Sequence, residues 1–235
     1  SGYTAPTSTV FTNPGDTNDR IYYSFVSVAG FSKISKYTGN GNTNGPIVTT
    51  GFEPAFLIIK SLDRADHWFM VDNKRCPLNP RDEALFINLT DTEYSNYGAK
   101  VEVYGNGFRV VSSDNLVNAN NEKYLYMAFA EDPDTVVPTK AKSFNTVTWS
   151  GTGSNRSITG LGFKPGFLWI KGRNNTEHPY LYDAIRGSSK YMHSTTDGGE
   201  TTDTTSRLAS FDQDGFSLFT DGGVNSNGNT YVGWA

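Results

Sequence analysis

The 235-residue chain carries 20 Lys and Arg against 24 Asp and Glu, a formal net charge of −4, and so lacks the basic excess that grips nucleic acid or an anionic membrane. Charged residues make up 19% and hydrophobic ones 36%, both low because glycine and small polar residues fill the difference, yet 13 Tyr, 15 Phe and 4 Trp supply rings for a packed core. No apolar run nears the roughly 18 residues of a membrane span, the first residues lack the pattern of a signal peptide, and the lone Cys76 excludes an internal disulfide or a multi-cysteine metal site.

In chain order, the first pattern is Arg20-Ile21-Tyr22-Tyr23-Ser24-Phe25, which resembles Tyr124-Leu125-Tyr126-Met127-Ala128-Phe129 further on. Residues 1–28 therefore read as the closing strand of a repeat whose body is missing, and a strand with apolar side chains on both faces needs cover. We expect residues 21–25 to pair with a sheet of the same chain; completion of a repeat in a neighbouring subunit, giving a homo-oligomer, is the alternative.

A first repeat follows over 29–134. Gly39-Asn40-Gly41-Asn42-Thr43-Asn44-Gly45 is one residue out of step with a dinucleotide fingerprint and no helix follows it, so it reads as a loop. Ala55 to Ile59 is strand-like, and His67 and Asp72 frame another strand from Trp68 to Val71. Asp91-Thr92-Glu93-Tyr94 could open a short helical turn. Lys100 to Tyr104 and Phe108 to Val110 alternate around Asn106-Gly107, a strong hairpin signal. Acids and prolines from Glu131 to Pro138 mark a joint, with the linker at 135–141.

The second repeat, 142–235, copies the first. Gly51-Phe52-Glu53-Pro54-Ala55-Phe56-Leu57-Ile58-Ile59-Lys60 matches Gly162-Phe163-Lys164-Pro165-Gly166-Phe167-Leu168-Trp169-Ile170-Lys171, and the alignment runs on through His67/His178, Asp72/Asp183 and Arg75/Arg186. The hairpin returns around Asp214-Gly215, and Tyr124 is matched by Tyr231. The fold class expected is all-β: two tandem antiparallel, jelly-roll-like β-sandwiches. Phe52, Phe56, Ile58, Phe108 and Tyr124 should hold the same places as Phe163, Phe167, Trp169, Phe216 and Tyr231.

The chemistry-bearing residues form no catalytic constellation. His67 and His178 each stand five residues before an aspartate, which puts the two side chains on opposite strand faces. His193 has no counterpart in the first copy. Asp197, Glu200 and Asp203 lie in a Gly/Thr-rich loop without EF-hand spacing and read as solvated. Trp149, Trp169 and Trp234 are the rings that could stack on sugars, but Trp149 and Trp169 replace Tyr37 and Ile58, so core packing is favoured. Asn88-Leu89-Thr90, Asn155-Arg156-Ser157 and Asn174-Asn175-Thr176 are formal glycosylation sequons, meaningful only in a eukaryotic secretory setting. No catalytic, cofactor-binding or metal residue is assigned, and ligand-binding residues are left open.

Phe31-Ser32-Lys33, Tyr37 to Gly41, Gly51 to Lys60 and Asp72-Asn73-Lys74-Arg75 together resemble a repeated domain of bacteriophage structural proteins. Such repeats close with Gly-Phe, an Asn-rich turn and a Tyr-x-Tyr-x-Ala-Phe-Ala strand, here Gly107-Phe108, Asn118 to Asn121 and Tyr124 to Ala130. Gly162 to Lys171, Asp183 and Arg186-Gly187 look like a sister variant, so the resemblance spans nearly the whole chain. It implies a non-enzymatic protein of the virion surface, a tail-fibre host-attachment or capsid-decoration module of the kind found in marine and cyanobacterial phages. Its implied partners are other virion proteins and host cell-surface glycan, and it brings no catalytic residues. Adhesion would use the loops where the copies differ most, Cys76 to Ala99 and Ser188 to Arg207. The alternative is a polysaccharide-degrading spike enzyme, which needs two carboxylates roughly 5–10 Å apart in one cleft, one with a raised pKa.

Overall fold

The computed structural model describes residues 20–131 and 144–235; the expected linker at 135–141 and residues 1–19 lie outside them. The first lobe comprises β1 (Ser32–Thr38), β2 (Ile47–Thr49), β3 (Phe56–Ser61), β4 (Phe69–Asp72), β5 (Leu85–Phe86), β6 (Val101–Tyr104), β7 (Gly107–Val110), the single turn α1 (Asn115–Asn118) and β8 (Lys123–Phe129). The second comprises β9 (Thr146–Ser150), β10 (Arg156–Thr159), β11 (Phe167–Gly172), β12 (Tyr180–Asp183), β13 (Lys190–Tyr191), β14 (Thr201–Thr202), β15 (Leu208–Asp212), β16 (Gly215–Leu218), α2 (Gly222–Asn225) and β17 (Thr230–Trp234).

The two lobes share one antiparallel topology. In the first, a sheet ordered β1-β8-β3-β4-β5 packs on one ordered β2-β7-β6; in the second, β9-β17-β11-β12 packs on β10-β16-β15, with β13-β14 as a separate ribbon. Pairing the first strand with the last and the second with the next-to-last is the jelly-roll wrapping expected from the repeat. The hairpins fall where the Asn-Gly and Asp-Gly signals put them, closed by Tyr104 opposite Gly107 and Asp212 opposite Gly215.

Side-chain alternation fills each sandwich. Leu57, Ile59, Tyr124 and Tyr126 of one sheet meet Val48, Phe108 and Val110 of the other, while Leu168, Ile170 and Tyr231 meet Ile158, Phe216 and Leu218. Tyr124 and Tyr231 are fully buried and each satisfies its hydroxyl at the helical turn: Tyr124 donates to the Asn115 carbonyl at 2.6 Å and accepts from Ala119 N–H, as Tyr231 does with Gly222 and Ser226. Trp149 stacks on Tyr231 at 5.6 Å as Tyr37 stacks on Tyr124 at 5.1 Å, so Trp149 is a core residue as expected.

The expected correspondence holds in position but not in surroundings. Phe56 and Ile58, one residue out of phase with Leu57 and Ile59, leave the sandwich and join Met70, Phe129, Val232 and Trp234 in a third cluster between the lobes. Phe167 and Trp169 point the same way from the second lobe but are only half-buried, and Phe163 is less buried than Phe52.

Two local expectations fail. Residues 91–94 form no helical turn: Tyr94 is bridged to Ala84, and the helical turns occur instead behind the aspartate caps Asp114 and Asp221. Residues 21–25 form no strand. Such a segment, apolar on both faces, suits the central place between the first and third strands of a main sheet, and β8 and β17 already fill both of those places. It lies instead as an irregular strap, tied down near its end where Val28 N–H bonds the Ser32 carbonyl and the Ser32 hydroxyl bonds the Val26 carbonyl.

Gly107 and Gly215 serve more than the turns. Both hold φ at +155°, and an added Cβ would stand 2.0 Å from the Val48 carbonyl oxygen or 1.9 Å from that of Ile158. Gly107→Ala or Gly215→Ala should therefore push β2 or β10 off its neighbour and lower stability by about 1–3 kcal/mol in urea titration. An unchanged midpoint would show that the edge strand yields freely.

Candidate functional site: an apolar groove between the lobes

Beside the contact between the two main sheets opens a groove of about 640 Å³. Its walls are carbon: Met127 and Phe129 from the first lobe, Phe163, Phe167 and Trp169 from the second, and the strap residue Phe25. No charged side chain lines it among the described residues. The Trp169 indole N–H is buried there without a hydrogen-bond partner. Chemically the groove can take up apolar surface; among the described residues Tyr23, Ser24 and Ser32 are the hydroxyl side chains on its lining.

Each lobe also presents a polar seat on this face, built from the repeated Asp-x-x-Arg. Asp72 accepts from Arg75 Nε at 2.6 Å and Arg75 N–H at 2.9 Å, while Arg75 Nη2 donates to the Met70 carbonyl. Asp183, Arg186 and the Leu181 carbonyl repeat all three bonds. Each seat receives one aromatic donor from elsewhere in the chain. Trp234 Nε1 of the second lobe donates to Asp72 Oδ2 at 3.1 Å, its ring 5.7 Å from the Arg75 guanidinium and 5.9 Å from Phe56. The Tyr23 hydroxyl of the strap donates to Asp183 Oδ2 at 2.9 Å, its ring 4.9 Å from Phe167.

Burial alone would raise both carboxyls, but the arginines, with Trp234 at one seat and Tyr23 at the other, hold Asp72 and Asp183 below the usual carboxylate range. Burial and the Asp183 carboxylate push the Tyr23 phenol up to about 12. Both acids stay ionised and occupied by their partners, the condition of an anchor and not of a proton donor.

The lobes are further clamped along one seam. Glu93 bonds Arg75 at 2.8 Å and Arg173 at 2.6 Å, and Ser194 donates to the Ile87 carbonyl. Lys171 Nζ donates to the carbonyls of Gly172, Asn175 and, across the seam, Thr90. No carboxylate bonds Lys171, and burial brings its ammonium down to about 8. A lowered lysine pKa means the unfolded chain binds more protons between about pH 8 and 10.5, so stability rises with pH across that window. Wild type should gain up to about 3 kcal/mol relative to Lys171→Met between pH 7 and 10.5, read from paired urea titrations. Parallel curves would refute the buried charge.

The other residues singled out in the sequence do not converge. His67 bonds Asn88 and His178 bonds Thr195, both framing strands as expected. Asp203 caps the turn to Ser206 and pairs with Arg207, while Glu200 pairs with Lys190. Within the loop from Cys76 to Ala99, Ile87, Thr90 and Glu93 are engaged on the seam, while Pro77 to Pro80 are exposed. Two carboxylates do share a small cavity of about 170 Å³, Glu53 and Glu131 beside Arg81, with Glu131 already bonded to Asn73 and paired with Lys74. Sequence reasoning missed the two seats and the groove. The signal for the seats was the Asp and Arg kept three apart in both copies while their neighbours changed.

A family model matches residues 1–133 and 139–235. The chain belongs to DUF7483, a family described as a domain of unknown function. The break between the two matched segments falls within the acid- and proline-rich joint. No curated protein and no solved structure matches the chain.

Proposed function

We propose that this DUF7483 chain is a non-enzymatic structural module of a bacteriophage virion surface, a tail-fibre or capsid-decoration element that packs against other virion proteins and turns its remaining loops toward host glycans. One observation carries the non-enzymatic part: Asp72 and Asp183, a carboxylate pair that the repeat keeps, are ionised, arginine-bound and occupied by Trp234 and Tyr23, so they fasten one part of the chain to another. The phage assignment rests on the sequence resemblance. The loop tip around Asp197 to Glu200, exposed between β13 and β14, is the surface we assign to attachment.

The full chain should be tested on host-derived glycans and whole host cells, in parallel with a reducing-end assay on host polysaccharide. Binding that is lost when residues 196–201 are replaced by a Gly/Ser linker supports the attachment form. Silence on glycans and cells, with labelled chain located on the capsid of intact particles, supports decoration. Sugar release abolished by Glu53→Gln or Glu131→Gln would overturn the reading in favour of a depolymerase.

A further inference from the structure

The two seats are filled by residues at the same position of the repeat. Aligning the closing strands puts Tyr23, Met127 and Trp234 at one place and Phe25 and Phe129 at another. Trp234 sits on the first lobe's Asp72 seat against Phe56; Tyr23 sits on the second lobe's Asp183 seat against Phe167, the residue equivalent to Phe56. If the two lobes faced each other as a symmetrical pair, Met127 would sit on Asp183. Instead each closing strand serves the next body, a head-to-tail arrangement, and head-to-tail contacts either run on or close into a ring.

This arrangement closes. The strap touches both lobes at once, through Tyr23 on the second and through Phe25, whose ring lies 5.7 Å from Phe129 at the end of the first lobe's closing strand. It therefore marks a third station, where a segment with closing-strand sequence lies against both lobes. Next to that station lie the groove, the exposed Phe25 and Val26 (52% and 72%), and Met127, the closing-strand residue with no Asp seat opposite it. Lys60 gives the same answer from the other side. It repeats two bonds of Lys171, to the Ser61 and Arg64 carbonyls, but lacks the third, cross-lobe bond that Lys171 makes to Thr90.

We propose that the groove is the seat of a third sandwich of this same repeat, with residues 21–25 as its central closing strand, so that three lobes close a ring about a pseudo-threefold axis. The proposal does not depend on the virion reading. It explains why the strap is apolar on both faces yet joins no sheet here: its place is between the first and third strands of the third body. The occupant continues the interface already made between the two lobes, with apolar outer faces of main sheets in contact and one aromatic donor on each Asp-x-x-Arg seat. At the remaining seat Met127 supplies a thioether and no donor, so that joint closes by packing.

The test extends the chain. A copy of residues 29–123 replaces residues 1–19 directly ahead of Arg20, putting Arg20 in register as the continuation of the added body. Backbone hydrogen exchange and binding of the apolar dye 1-anilinonaphthalene-8-sulfonate are compared with the parent. The expected result is at least 100-fold slower exchange at residues 21–25 and loss of the groove's dye signal, with exchange in β3, β8, β11 and β17 unchanged. Persisting fast exchange at 21–25, whether the added body folds or not, would overturn the proposal. So would a folded third body that leaves dye binding at the parent level, or a parent chain that dimerises in sedimentation with its groove protected, since the occupant would then be a second copy. Phe25→Ala in the extended chain should restore part of the dye signal, which a third lobe folding elsewhere would not do.

Discussion

Arg75→Ala is expected to cost about 3–5 kcal/mol, the range for breaking a buried ion pair by removing one partner. The guanidinium holds Asp72 and Glu93, bonds the Met70 and Glu83 carbonyls and lies against Trp234, with its side chain at 0% exposure. Without it Asp72 is left buried with only the Trp234 N–H as a side-chain donor, and burial, no longer offset by the guanidinium, pushes its carboxyl up. The loss should depend on pH in a definite direction. Asp72 is held below its unfolded pKa, so its contribution is complete above that value and fades as pH falls through the folded one. The gap between wild type and Arg75→Ala in thermal or urea unfolding should therefore narrow below about pH 4. Arg186→Ala, at a seat that solvent still reaches, should cost less, about 1–3 kcal/mol. Equal losses would refute the difference in cover between the seats.

Phe56→Ala should cost about 3–5 kcal/mol, because the ring is 4% exposed and touches Phe129 of its own sheet and Phe144 and Trp234 of the second repeat. Phe167→Ala, the same substitution in the other copy, removes a half-buried wall of the groove and should cost about 1–2 kcal/mol. Calorimetry of the two variants measures the difference directly. If Phe167→Ala cost as much as Phe56→Ala, the groove would already be filled in solution.

The fold was legible where the copies agree. Gly107 and Gly215, Tyr124 and Tyr231, and the paired Phe-Leu strands carry period-two patterning and turn chemistry, which local physics reads directly. What lies between the lobes was written in the same strands but masked by them. Phe56-Leu57-Ile58-Ile59 is continuously apolar, the mark of a strand covered on both faces, whereas a sandwich sheet with one wet face would alternate. Reading all four residues as one core merged two surfaces. The strap failed for a related reason. Its sequence resembles a closing strand, but a strand is a property of a sheet, and the two main sheets have no vacant central place for it. The seats needed a donor from elsewhere in the chain, Trp234 or Tyr23, and no spacing rule connects residues 162 or 160 positions apart.

Cys76 gives the molecule a clock in one half only. It follows Arg75 directly, is 8% exposed, and its thiol lies against the Leu78 and Pro80 carbonyls. An alkylating reagent reaches it when the stretch behind the Asp72 seat opens, and the second lobe holds no thiol to confuse the signal. At reagent concentrations where closing outruns chemistry, the labelling rate reads the free energy of opening the first lobe. Removing the Trp234 indole from its seat, as in Trp234→Phe, should then quicken labelling of a residue it never touches, and the size of that change measures how firmly one lobe locks the other.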